Sequence, residues 1–383
     1  MIPEKTHIAL HPRLNKQVAG LFLLWLSINT FTLLHRGIYL EGESAKYIRE
    51  ANFYLANGRV STPNFWLYFV QIGLIAACIK THLSLAWIVA LQLLLNGAAT
   101  IAFFKTLSHL FPNKTLAFIG TGLLLITYPY QEFNTFLYTE SLFYSFTLIL
   151  SCYLIRMRAL SARNLLPVFA GLILICFTRP SGLLFLPPVF LYLFFMFFRH
   201  WSIPKKMGLL GLLTVAFLLF LNKALGSGGE LDFMLPFRDE RIICGVPTLR
   251  GFLPIQTTAQ GNSLYGLLYY VIHNPSQFLR MACLRTLAFF GLYRNYFSLG
   301  HNLYLLVFFQ SIHAAALASL GYWVKVRPYP LVFFLSAIGL TWLTVIMTCD
   351  DWHNRFYLTI CPFLIILALP ATQKLLKSPP DGK

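Results

Sequence analysis

The chain has 383 residues, 57% of them hydrophobic and 11% charged, with a mean hydropathy of +0.65. A water-soluble domain of this length carries far more surface charge, so that class is excluded. Lysine and arginine number 30 against 13 acidic residues, a net charge of +17; the basic residues are spread over short loops, which fits orientation in a bilayer and attraction to anionic lipid rather than a nucleic-acid patch.

In chain order, apolar runs occupy 17–35, 84–104, 115–128, 141–156, 165–178, 182–198, 207–222, 302–323, 330–348 and 356–371. Each is read as a helix able to cross a hydrocarbon core of about 30 Å. Because such runs continue to the end of the sequence, they are not one cleavable signal peptide. The first has Arg13 and Lys16 before it and no small-x-small cleavage site, so a retained N-terminus is expected.

Two more apolar stretches, 64–79 and 276–292, are ambiguous by length, and loop charge decides them. If neither crosses, one side collects Lys5, Arg13 and Lys16, then Lys105 and Lys114, then Arg156, Arg158 and Arg163. The same side receives Arg199, Lys205 and Lys206, then Lys325 and Arg327, then Lys374 and Lys377. That is the pattern of a cytoplasmic face. If either crossed alone, every later basic loop would turn outward. Both are therefore read as interfacial or re-entrant helices on the outer face, the second interrupted by Arg280 and Arg285.

The expected fold is an all-α polytopic membrane protein with about ten transmembrane helices plus outer-face helices. It is read as one membrane domain over 1–383: core spans over 17–222 with a first outer loop at 38–83, a long outer loop with its interfacial helix at 223–301, and final spans over 302–371. Both termini are placed in the cytoplasm of a cell in whose inner membrane the chain sits.

The same threading puts all of the thirteen acidic residues except Glu4 and Asp381 outside. They are Glu41, Glu43 and Glu50, then Glu132 and Glu140, then Glu230, Asp232, Asp239 and Glu240, and finally Asp350 and Asp351. Short basic inner loops explain part of this sorting; the rest calls for a polar site at the outer surface. The seven cysteines show no C-x-x-C or metal spacing. Cys78, Cys152, Cys176, Cys283 and Cys361 read as small core residues, while Cys244 and Cys349 lie in outer loops where a disulfide between them is one open reading. The segment 225–275 starts at Gly226-Ser227-Gly228-Gly229, reads as loop, and is too short for a core of its own.

In the first outer loop, a helix from about Ser44 to a stop at Gly58 puts Glu43, Tyr47, Glu50 and Tyr54 on one face and Ile48, Ala51 and Leu55 on the other. The expectation is an amphipathic helix with its carboxylates on the wet side. Tyr128-Pro129-Tyr130 breaks the chain as it emerges, and Glu140 opens the next span, where it either serves the helix N-terminus or a site. Arg179, at an outer turn before Pro180, calls for an anionic partner, a carboxylate or a phosphate. Asp350-Asp351-Trp352-His353-Asn354-Arg355 forms the last outer turn, with Trp352 as an interfacial anchor.

Carboxylates, arginines and aromatics at one depth suit a sugar carried on a long polyprenol through phosphate. Its phosphate leaving group needs a cation, Arg or a divalent metal near Glu43 and Glu140, and the acceptor hydroxyl needs a carboxylate base. No Walker loop, H-E-x-x-H site or nucleotide-sugar domain is present in the sequence.

Glu43-Ser44-Ala45-Lys46-Tyr47 with Ala51 and Gly58, Tyr128-Pro129 with Thr139-Glu140, and Thr178-Arg179-Pro180-Ser181-Gly182 follow one another in an order that resembles the GT-C membrane glycosyltransferases. The likeness is to bacterial members akin to protein O-mannosyltransferases and the lipid A aminoarabinose transferase. His273-Asn274-Pro275 with Arg280 and Arg285, Arg294-Asn295-Tyr296-Phe297-Ser298, and Arg355-Phe356-Tyr357 with Pro362 continue it. Glu43 stands where those enzymes usually carry Asp, and Glu41 is the substitute base.

The resemblance implies an inverting transfer from a polyprenyl-phosphate-linked sugar, on the periplasmic or extracellular face, to a glycan, lipid or protein acceptor. It implies Glu43 as base, Glu140 as a second acid, and Arg179, Arg280, Arg285 and Arg355 on the donor phosphate. Tyr47, Glu50, Tyr128, His301 and His353 are the candidate substrate contacts, the histidines being equally readable as interface residues. A transporter or flippase of lipid-linked glycans, a glycan polymerase and a non-catalytic scaffold are the alternatives.

Overall fold

The computed structural model describes residues 12–226, 234–246, 255–258 and 261–376. Glu4, Lys5, Lys377, Asp381 and, in the long loop, Ser227, Gly228, Gly229, Glu230 and Asp232 lie outside them. The described residues are nearly all helical, with no strands and only two isolated bridges, Tyr39 with Phe136 and Ile243 with Asp350.

Among the described residues, eight helical segments are long and apolar enough to cross a membrane: Lys16–Arg36, Pro63–Lys80, Ala86–Leu110, Pro180–Phe197, Ile203–Lys223, Leu299–Val326, Pro328–Met347 and Arg355–Gln373. Seven coincide with expected spans. The eighth, Pro63–Lys80, is one the loop charges assign to the surface. Three expected spans form shorter helices: Lys114–Ile126 with 13 residues, and Glu140–Arg156 and Ala162–Thr178 with 17 each. Their ends are set locally. Asn113 caps the first through its side chain, Ser161 caps the third, and Pro180 forces Arg179 into extended backbone and stops the third helix there.

The described chain divides by contact into two compact units. The first comprises Met1–Ser61, Phe65–Pro180 and Thr372–Lys383, and the second Thr62–Asn64 and Ser181–Ala371.

Unit 1 contains α1 (Pro12–Arg36), α2 (Glu43–Asn57), α3 (Phe69–Lys80), α4 (Ala86–Leu110), α5 (Lys114–Ile126), α6 (Tyr128–Glu132), α7 (Glu140–Arg156) and α8 (Ala162–Thr178). α4 lies along α7 and α5, α7 along α8, α1 along α5, and α2 along α3. The Tyr39 N–H donates to the Thr135 carbonyl (3.0 Å), the Leu137 N–H to the Tyr39 carbonyl (3.1 Å), and Gln92 Nε2 to the Phe136 carbonyl (2.9 Å). These bonds bring the end of α1 and the starts of α4 and α7 together. Glu41, Glu43, Glu50, Glu132 and Glu140 gather at that end of the unit. Lys105, Lys114, Arg156, Arg158 and Arg163 lie towards the opposite ends of α4, α5, α7 and α8.

Unit 2 contains α9 (Leu186–Phe197), α10 (Ile203–Leu225), α11 (Met234–Arg238), α12 (Leu264–His273), α13 (Pro275–Gly291), α14 (Leu299–Val326), α15 (Pro328–Met347) and α16 (Arg355–Leu376). α15 packs on α9, α13 and α14, and the Trp323 indole N–H donates to the Leu367 carbonyl (3.1 Å) in the core. The described parts of the segment read as loop hold α11 and α12.

α13 has two faces. Met281, Arg285 and Phe289 are buried one turn apart, while Leu279 and Leu287 are exposed. Cys283 sits between those leucines and is exposed, a correction to its reading as a core residue. Four-residue spacing places it on the apolar outer stripe, where a small hydrophobe needs no core. Exposed apolar side chains also cover α1 (Phe22, Leu23, Phe31, Leu34) and α10 (Ile203, Met207, Leu212, Leu219). Water does not tolerate such surfaces at this scale, and acyl chains do.

Candidate functional site

In unit 1 the site is built on a glycine. Gly42 has φ +61°, a backbone few side-chain-bearing residues adopt, and α2 begins directly after it. Gly58, left-handed at φ 66° and ψ 10°, ends α2 with its N–H on the Tyr54 carbonyl (2.8 Å). The helix therefore has the expected length, but the face read as wet is covered along with part of the apolar one. Ser44, Tyr47, Glu50 and Ala51 are buried, and Leu55 is exposed. The face read as wet is turned inward against α3.

The buried polar atoms of that face are matched. Glu50 accepts the Ser61 N–H and hydroxyl, both at 2.6 Å, which closes the loop after Gly58 back onto α2. The Tyr47 hydroxyl donates to Glu43 Oε2 at 3.0 Å. Glu43 itself is half-buried, and Glu41, the substitute base, is exposed.

Glu140, first residue of α7, is fully buried and forms an ion pair with Arg179 at the end of α8. The anionic partner that the position of Arg179 called for is thus a carboxylate. The Thr139 hydroxyl also donates to Glu140 (3.3 Å). Tyr47 ties the two carboxylates into one electrostatic cluster: burial pushes its phenol well above the usual tyrosine range, the charges of Glu43 and Glu140 push it further, and Arg179 opposes them. Glu43, Tyr47, Glu140 and Arg179, distant in sequence, therefore meet. Lys46 borders the cluster, its ammonium 4.5 Å from the Tyr68 ring centroid and 5.7 Å from that of Tyr47.

Glu132 lies at the same end, in an ion pair with Arg36 at 3.2 Å, and the Arg36 guanidinium sits 5.9 Å over the ring of Tyr128. Burial raises its carboxyl to about 7, against the pull of Arg36.

Unit 2 carries a second polar cluster, around the turn at 350–355. Asp350 and Arg294 are fully buried and paired at 2.5 Å, and Arg294 also donates to the carbonyls of Asp351 (2.9 Å), Ala288 (3.1 Å) and Tyr293 (2.9 Å). Burial raises the Asp350 carboxyl to about 6, although Arg294 pulls it down. Asp351 accepts from Arg355 Nε (2.8 Å) and from the His353 N–H (3.0 Å). Cys244 and Cys349 are disulfide-bonded, with Cα atoms 5.3 Å apart. The Cys244 N–H bonds the Asp350 carbonyl (2.7 Å), and the Asp350 N–H the Ile242 carbonyl (2.8 Å). Beside the disulfide lies a cavity of about 300 Å³ lined by Cys244, Gly245, Val246, Tyr296 and Trp352. The rings of His301 and His353 flank Phe297 at 4.5 and 6.1 Å.

The other cations expected on a phosphate separate by environment. Arg285 is fully buried and donates from Nε, Nη1 and Nη2 to the carbonyls of Arg241, Ile346 and Pro236 (2.9, 2.6 and 3.0 Å), with Phe237 beneath it. As placed, it ties a loop to two helices. Arg280 is partly exposed and 3.5 Å from Glu240. Arg355 is buried against Asp351.

Among the described residues, no three His, Cys, Asp or Glu side chains gather to hold a metal ion. Glu140 is already bound to Arg179, so this donor set fits carboxylate–guanidinium pairing rather than a protein-built metal cage. Sequence reasoning did not assign site roles to Arg294, Asp350 and Tyr138. The first two could have been found as an Arg and an Asp in short polar stretches that follow long apolar runs; nothing local in the sequence marks Tyr138. No family model, curated protein or solved structure matches the chain.

Proposed function

We propose that this is an integral membrane glycosyltransferase with a GT-C-like arrangement, acting at the outer membrane surface on a sugar carried by a polyprenyl phosphate. The observation that supports it most is the meeting of Glu43, Tyr47, Glu140 and Arg179 at the acidic end of unit 1. In this reading Glu43 takes the proton of the acceptor hydroxyl as the acceptor oxygen bonds to the anomeric carbon. The bond from that carbon to the phosphate oxygen breaks on the opposite face, inverting the centre, and the polyprenyl phosphate leaves with the electron pair. Tyr47 orients the Glu43 carboxylate, and Arg179 pairs with the buried Glu140 carboxylate beside it. Lys46 and Arg179 are the cations unit 1 itself brings near the leaving charge.

The stretch 63–80 belongs on the outer surface in this reading, as the loop charges have it. Tyr68, Ile72, Ile75 and Cys78 pack with Tyr47 of α2, Ile88 at the start of α4 and Leu137, so both halves of α3 stay at the acidic end. A disulfide between Cys244 and Cys349 suits the oxidising side of a cell membrane. Apart from Glu50, midway along the short α2, the described Asp and Glu residues lie at helix ends or in loops, away from the mid-span positions a flippase pathway would use.

The test is to incubate the purified protein with a panel of polyprenyl-phosphate sugars and follow release of polyprenyl phosphate. Sugar loss coupled to that release, abolished by Glu43→Gln, is expected. Ion-coupled movement of a lipid-linked glycan across liposomes, without sugar loss, would replace this reading by a transporter.

A further inference from the structure

The first turn of a helix leaves backbone N–H groups without helical partners, and a side chain just before the helix normally covers one of them. α2 begins after Gly42, which has no side chain to do this. The cover comes from elsewhere: the Glu43 N–H donates to the hydroxyl oxygen of Tyr138 at 3.3 Å. Tyr138 stands two residues before Glu140 on the second outer loop.

The approach is close enough to dictate the residue at 42. A Cβ on Gly42 would collide with the Tyr138 hydroxyl oxygen while making only ordinary contact, 3.6 Å, with ring carbon Cζ. The ring is held rigidly. Tyr138 is 1% exposed. Phe136 packs edge-on at 5.4 Å, Tyr39 edge-on at 6.0 Å and Phe133 at 6.4 Å. The Tyr39 bridge to Thr135 and Leu137 fixes the backbone leading into it.

We infer that Tyr138 is the positioning residue for the carboxylate of Glu43: its hydroxyl, seated against Gly42, fixes the first turn of α2 relative to the loop that carries Glu140. It touches neither the acceptor nor the donor. This rests on the reading of Glu43 as base, and it adds a requirement that the carboxylate cluster alone does not impose.

Three variants test it. Tyr138→Phe keeps the ring and removes only the oxygen, so KM is expected to stay near the parent value while kcat falls about ten- to hundredfold, as small misplacements of a catalytic group do. Gly42→Ala is expected to lose more, through both the collision and the positive φ. Because the collision is with the oxygen, the double variant Gly42→Ala/Tyr138→Phe is expected to be more stable to heat than Gly42→Ala alone, a coupling that independent damage at two sites does not give. Hydrogen–deuterium exchange over residues 42–47 is expected to quicken in Tyr138→Phe.

Unchanged kcat in Tyr138→Phe overturns the inference and leaves Glu43 as base. Parent-level turnover in Glu43→Gln overturns the base assignment instead. Additive heat stabilities together with unchanged exchange overturn the contact itself, whatever the substrate.

Discussion

The carboxylate–guanidinium cluster around Glu140 in unit 1 and the one around Asp350 in unit 2 differ in what they leave reachable. In unit 1 the buried pair Glu140–Arg179 stands behind Glu43, a half-buried carboxylate oriented by Tyr47. In unit 2 Asp350, Asp351, Arg294 and Arg355 are all buried, bonded to one another and to backbone carbonyls, and braced by a disulfide. Ion pairs alone therefore do not mark a site. A carboxylate held in place yet reachable suits proton transfer, whereas a closed network of buried charges suits holding loops together.

That contrast can be broken by substitution. In unit 1, Glu43→Gln should lower the transfer rate by about 10²- to 10⁴-fold, the range for loss of a general base, with the melting temperature in detergent nearly unchanged. In unit 2 the order should invert. Asp350→Ala leaves the Arg294 guanidinium buried and unpaired, so about 3–5 kcal/mol of stability should go, seen as low yield of folded protein or a large drop in melting temperature. A melting temperature like the parent's in Asp350→Ala would show that the unit 2 cluster is no brace.

Paired Cys244→Ser and Cys349→Ser changes should cost about 2–5 kcal/mol, and maleimide labelling of the denatured parent should increase after reduction. The smallest effect expected is pH-dependent and belongs to unit 1. The Glu132 carboxyl is raised from 4.5 to about 7 by burial, so the folded state holds a proton that the unfolded state releases. Stability from this group is fully present below pH about 4.5 and falls as pH rises towards 7, by at most about 3 kcal/mol. Glu132→Gln should flatten that slope in melting curves taken between pH 5 and pH 8; a slope unchanged by the substitution would remove Glu132 as its source.

Much of the architecture was readable before any coordinates, for reasons tied to particular residues. The long apolar runs announce helices because a backbone in hydrocarbon must satisfy its own hydrogen bonds. Gly58 stops α2 and Pro180 stops α8 through local backbone preferences that act wherever those residues stand. Arg179 at an apolar edge required a negative partner and has one in Glu140. The misreadings are also instructive. The polar face of α2 looked solvated because periodicity shows which residues share a face without showing what covers it; Ser61, eleven residues beyond Glu50, is what allows that carboxylate inside. Cys283 looked internal because an apolar stretch has no visible inner and outer side until its neighbours are known.

What the amino-acid order determined by itself is therefore one-dimensional: which segments are helical and apolar, where they stop, and that acidic residues gather in one set of loops. Proximity between distant loops was decided only by the tertiary structure, because it depends on bonds between backbones that carry no sequence signature. The Tyr39 bridge to Thr135 and Leu137, and the Glu43 N–H on Tyr138, bring the loop after α1 and the loop before α7 together. Which arginines became buried ties and which stayed reachable was settled at the same level, since burial belongs to packing and not to residue type.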